Sequence, residues 1–199
     1  MYLCNMNAIK NYYKHALLDD LCADYRGRWQ RCHDKESLLK LSLSRQAIPH
    51  VVTYAYQGRG LTKDFVLSEY GELINGYAVH DADGVEGYTT GLYVDYDPNE
   101  DLLADKDTVS IMWTVGASVV VPETKATTIY VSNKSKVHLV CEGYNSVSIY
   151  LFDKSEVTIE DVDEESSITI YRYSKDAKVD IGKFCLSQKI RVFDKQLKL

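Results

Sequence analysis

Six aromatic residues recur at a spacing that suits them for binding by contact. Tyr130, Tyr150 and Tyr171 follow one another at intervals of 20 and 21, and Phe152, Tyr173 and Phe193 repeat the beat at 21 and 20. Rings held at a fixed repeat make a stiff apolar strip that can anchor a protein or a sugar. A second group is carboxylate: Asp95, Asp97, Asp101 and Asp105 fall within one short stretch. Crowded acids hold a cation or dock onto a basic partner. The cation reading fails on spacing, because in the run from Asp95 a glutamate (Glu100) stands where an EF-hand needs glycine and Lys106 where it needs its bidentate carboxylate. The acidic run His80–Glu86 does not fit an EF-hand either, and Cys22, Cys32 and His33 lack zinc-ligand spacing. Gly58, Arg59 and Gly60 precede a helix start without the full phosphate-loop spacing. The five histidines lie in no hydrolase or metalloprotease context. The sequence therefore predicts no catalytic residue, no metal and no cofactor, and a non-enzymatic role.

What must position the rings is a repeat. Ile129, Ile149, Ile170 and Ile190 recur at steps of 20, 21 and 20, and Lys134, Lys154, Lys175 and Lys195 keep the same rhythm. Each copy carries two runs of alternating apolar residues, such as Val137/Leu139 and then Val147/Ile149/Leu151. A period of about 20 made of two strand-like runs predicts a β-solenoid. With the isoleucines turned inward, alternation turns Tyr130, Tyr150, Tyr171 and Arg191 outward in one row. Ser132, Phe152, Tyr173 and Phe193 form the next. Such a strip is too apolar to stand in water. Helices of the same chain, a second copy, or a sugar or protein ligand would cover it. The other strand of each coil turns outward Lys136/His138, Thr158/Glu160 and Asp180/Gly182, a mixed polar face without a repeated acid pair.

The first 76 residues read differently, at helical period. A helix is expected over 8–33, interrupted by Gly27, and a second after Asp34 as N-cap, ending before Pro49. Residues 50–60 fit a strand or a short helix equally well, and Thr62 caps a further helix closed by Gly76. From residue 77 the period falls to two, with strands expected over 77–80, 88–95 and 108–115. The expected fold is thus α+β: a helical domain over 1–76 and a β-solenoid over 77–199, with 77–116 as an irregular capping coil.

Charge is uneven along the chain. Residues 1–76 hold 10 basic and 8 acidic side chains, residues 77–133 hold 2 and 10, and the remainder balance at 11 each. The acidic middle repels nucleic acid. Five scattered cysteines without a pairing rhythm point to reduced thiols in a cytoplasmic protein. The N-terminal run MYLCNMNAIKNYYKHALL lacks the apolar length of a signal peptide, and no stretch approaches the roughly 18 apolar residues of a membrane span.

The runs GRGLTKDFVLSEYGELING and GYTTGLYVDYD resemble small proteins carried by phages and mobile elements of gut bacteria. The resemblance implies an accessory, anti-defence or virion protein and brings no catalytic residues with it. The expected function is a protein-interaction module that binds a host protein or associates with itself. A carbohydrate-binding or carbohydrate-processing solenoid, or a virion structural protein, is the alternative.

Overall fold

Two alternating runs per repeat need two sheets that share one core between them. The computed structural model describes residues 14, 17, 23–59, 61–81, 84–183, 185 and 189–196, and it has that arrangement. One sheet contains β1 (Val79–His80), β2 (Thr89–Val94), β4 (Thr108–Met112), β6 (Ala126–Ser132), β8 (Ser146–Leu151), β10 (Ser167–Arg172) and β12 (Ile190–Asp194), in that order. The other runs from β3 (Leu102–Leu103) through β5 (Val115–Val121), β7 (Lys136–Cys141) and β9 (Glu156–Val162) to β11 (Lys178–Ile181). All named strands pair in parallel except β1 with β2. The chain therefore crosses between the sheets and back once per coil, a β-solenoid of about 5 turns.

Its core is the inward half of each strand. Ile111, Val119, Ile129, Val131, Leu139, Ile149, Leu151, Ile159, Ile168 and Ile170 are all buried. Buried hydroxyls and amides fill the corners, because the backbone turns there and leaves the sheet ladders. The Thr114 N–H donates to Ser135 Oγ at 3.2 Å, and the Lys125 N–H to Asn145 Oδ1 at 2.9 Å. The Asn145 N–H then donates to Ser166 Oγ at 3.0 Å. Asn133, Lys134 and Asp153 take positive φ at the tight corners, and Gly143 does so at 65° where a Cβ would meet Glu123 at 2.7 Å.

The repeat is not uniform. Equivalent rungs Thr90, Thr108, Thr128, Ser148, Thr169 and Arg191 lie 18, 20, 20, 21 and 22 residues apart. A bulge at Glu160 adds one residue, and the last coil is longer still. Ile190 therefore pairs with Ile168, and Val192 takes the place beside Ile170 where the even spacing put Ile190. The β2–β3 coil is regular enough to pair in parallel with the next, so the irregular cap shrinks to β1 and its flanks.

Among the described residues, α1 (Ala23–Gln30), α2 (Lys35–Ser42), α3 (Ile48–Tyr56) and α4 (Lys63–Tyr70) precede the sheets. The first part of the expected 8–33 helix, with Ile9, Tyr13, Leu18 and Leu21, lies outside the described residues, as do Cys4 and Cys22. Asp34 closes a capping box with Ser37, and Thr62 Oγ1 accepts the Phe65 N–H. Pro49 does not stop α2. It sits in the first turn of α3, where a missing N–H costs nothing. Gly76, at φ 113°, lies in the turn before β1 and beyond a 3₁₀ turn (Gly71–Leu73) that continues α4. Helices and first sheet share a second core, in which Leu43, Ile48, Val52, Tyr54 and Phe65 meet Leu92, Val94, Met112, Tyr130 and Phe152. No helix among the described residues is long and apolar enough to cross a membrane.

Candidate functional site

Outward alternation on a parallel sheet places the same register position of each coil one rung above the last, about 4.8 Å apart. The tyrosines obey it. Tyr130, Tyr150 and Tyr171 are register partners, with ring centroids 4.9 Å and then 5.0 Å apart. In the adjoining row, Phe152 stacks on Tyr173 at 5.1 Å and 8°. Phe193 falls in a different row from the one expected. It pairs with Tyr171, 5.7 Å between rings, while Arg191 pairs with Thr169. The longer last coil moves every residue of β12 back by two positions along the strand, and Lys195 Nζ comes to lie over the rings of Tyr171 and Phe193.

The ladder is covered at one end and open at the other. Phe152, at 1% exposure, and Tyr130, at 7%, belong to the core shared with the helices, and Tyr56 of α3 lies 6.5 Å from Phe152. Tyr150, Tyr171 and Tyr173 are half-buried, and Phe193 is 42% exposed. Burial pushes the phenol pKa of Tyr130 far up, with the neighbouring Tyr150 adding to it. Burial also raises Tyr150 and Tyr173. Because the rings stack on one another, their faces are occupied and they present edges to solvent. A sugar ring therefore cannot lie flat on the middle of the ladder.

The four aspartates do not form one patch. Asp95, Asp97 and Asp101 sit on the corner between β2 and β3, and Asp105 on the opposite corner between β3 and β4. Asp95 pairs with Lys63 at 2.7 Å. Asp97 Oδ1 accepts from the Asn99 backbone and side chain, and the Tyr96 hydroxyl donates to the Asp101 carbonyl. Asp105 pairs with Lys106 at 2.9 Å, whose ammonium also meets the Tyr93 hydroxyl at 3.1 Å. Burial alone would lower the Lys106 pKa, but these two partners outweigh it and hold it up.

On the outer face of the second sheet, Glu156 lies between Lys136 (3.2 Å) and Lys178 (3.0 Å), and His138 faces Glu160 at 2.7 Å. Lys178 and then Lys136 hold the Glu156 carboxyl below its usual range. The mixed polar face is thus a ladder of paired charges. Among the described residues, no group of three or more His, Cys, Asp or Glu is placed to share a metal ion.

Sequence reasoning missed a cleft of about 620 Å³ beside the tyrosines. Thr128, Ser148, Tyr130 and Tyr150 line it from the sheet, and Arg45 and Tyr88 from outside the repeat. Only the Thr128/Ser148 register was visible in the repeat. Arg45 belongs to a connecting segment with no period to place it, and Tyr88, the first residue of the strand expected over 88–95, stands just before β2. Compared with family models, with curated proteins and with solved structures, the chain matches none.

Proposed function

We propose that the chain is a protein-interaction module, not an enzyme, and that it offers the C-terminal end of its solenoid to a protein partner. One contrast carries this reading. The first edge of the large sheet is closed: β1 pairs with β2, and the Asn75 side chain accepts the Val94 N–H at 2.8 Å and donates to its carbonyl at 3.1 Å. At the last edge, no strand among the described residues pairs with the outer side of β12. Beside that edge Ile181 is 51% exposed, and Val192 and Phe193 are 42% exposed each.

An open edge with apolar side chains is a template for an added strand. Its backbone groups supply the affinity, and Phe193, seated on Tyr171, supplies an aromatic anchor. The partner is an extended segment of a host protein, in line with the phage-like stretches, or of a second copy. The acidic corners are weaker candidates, since Asp95 and Asp105 already hold Lys63 and Lys106.

The test compares wild type with Val192→Ser/Phe193→Ser, in light scattering for self-association and as bait in bacterial lysate. We expect a complex, with itself or with a host protein, that the double variant weakens at least tenfold while its circular dichroism is unchanged. A complex indifferent to the substitutions overturns the proposal, as does a wild type that stays monomeric and captures nothing.

A further inference from the structure

We infer a second binding site, independent of the open edge, in the cleft beside Tyr130 and Tyr150: it takes a neutral saccharide through a lattice of free hydroxyls. At about 620 Å³ the cleft has the size of a small-molecule site, a range of roughly 300–1,000 Å³. Its floor is the outward side of β6 and β8, where Thr128 and Ser148 are register partners. One position earlier, Ala126 pairs with Ser146, which also lines the cleft. Thr128, Ser146 and Ser148 have no hydrogen bond from their hydroxyls among the described residues. Free hydroxyls on a paired sheet are fixed in spacing, and each can both donate and accept. A polyol is the ligand class that answers such groups in kind.

Charge selects against the alternatives. The cleft is lined by one cation and one anion, Arg45 and Asp107. Asp107 is already met by the Thr89 N–H at 2.7 Å and by Lys125 at 3.3 Å. Arg45 lies over the Tyr88 ring at 4.2 Å, and the Tyr88 hydroxyl is bonded to that of Thr108. A phosphate would find a single guanidinium beside a carboxylate. A peptide strand would find backbone that β4, β6 and β8 have already paired. A sugar needs neither, and Tyr130, Tyr150, Arg45 and Tyr88 line the same cleft as the Thr128 and Ser148 hydroxyls.

The probe is an array of neutral oligosaccharides, read first with wild type and followed by calorimetric titration of any ligand retained. We expect at least one neutral glycan to bind, and Thr128→Val/Ser148→Ala to weaken it tenfold or more with the melting temperature kept. The open-edge variant Val192→Ser/Phe193→Ser is expected to bind it like wild type. Should the cleft double variant fail to fold, Arg45→Gln, at an exposed position outside the sheet, is expected to weaken binding at least threefold. No retained glycan, retention of anionic glycans alone, or binding that survives the cleft substitutions overturns the inference.

Discussion

Phe152 and Phe193 are the same side chain on the same face of one sheet, and the coils around them treat them oppositely. Phe152 is enclosed by Tyr130, Tyr173 and the α3 ring of Tyr56, whereas Phe193 has the Tyr171 ring and the Lys195 ammonium beside it and stays 42% exposed. Phe152→Ala is expected to cost about 3–5 kcal/mol in urea unfolding, the usual range for emptying a buried phenylalanine site. Phe193→Ala is expected to cost less than about 1 kcal/mol. Equal costs would mean that the helices do not cover the ladder. Titration gives a second measure of the same enclosure. Burial pushes the Cys141 thiol from 9.0 up to about 12, and raises Tyr130, Tyr150 and Tyr173 above 10.0. Above those ordinary values the unfolded chain gives up protons that the folded chain keeps, so stability falls as pH rises. The protein is expected to hold its melting temperature up to about pH 9 and to lose it progressively beyond, and Tyr130→Phe is expected to flatten the loss. A melting temperature constant to pH 11 would contradict the burial. That these rings line up was legible in the sequence, since Tyr130, Tyr150 and Tyr171 share one period. How far each is buried was not, because the covering side chains come from helices with no period in common with the strands.

Between neighbouring coils, the corners carry the register. Asn145 is buried in its corner, accepts the Lys125 N–H from the coil before, and donates to the carbonyls of Glu142 and Gly143 in its own. Asn145→Ala takes the acceptor from the part-buried Lys125 N–H, and leaving such a donor unmet costs about 1–3 kcal/mol. Ser146→Ala, one residue on but facing out, is expected to change stability by less than about 0.5 kcal/mol. Hydrogen exchange of the Lys125 amide separates the two: it is expected to quicken in the first variant only. Slow exchange in both would remove the corner from the account. The same scale explains why the last coil was misplaced. Alternation says nothing of how long the loop before a strand is, so the strand pattern of β12 stayed readable while the longer last coil moved its alignment by two residues. The β2–β3 coil was hidden for the opposite reason, since β3 is two residues long and leaves almost no pattern to read. Pro49 misled because the residue that ends one helix can as well begin the next.

Taken whole, the molecule is a column of coils wrapped on one side. Among the described residues, helices and first sheet share one core, in which Leu43, Val52, Phe65 and Tyr70 pack with Leu92, Met112, Tyr130 and Phe152. The outer face of the second sheet needs no such cover, because its charges are paired across the coils and already suit water. Removing residues 1–76 therefore has a one-sided effect. The core between the sheets would persist, since the coils build it alone, but one outer face would expose a continuous apolar surface around Phe152 and Met112. Apolar patches of that kind drive association. The fragment 77–199 is expected to keep its sheet signal by circular dichroism, to bind a hydrophobic dye strongly, and to form large species in light scattering. Adding the substitutions Tyr130→Ser and Phe152→Ser to the fragment is expected to reduce both dye binding and association, although in the full chain Phe152→Ser destabilises. That inversion of sign is the discriminating result, because only a face covered by the helices in the full chain can gain from a substitution that harms it there. A fragment that stayed monomeric and dye-silent would mean the solenoid does not need its helices, and the shared core would lose its role in the fold.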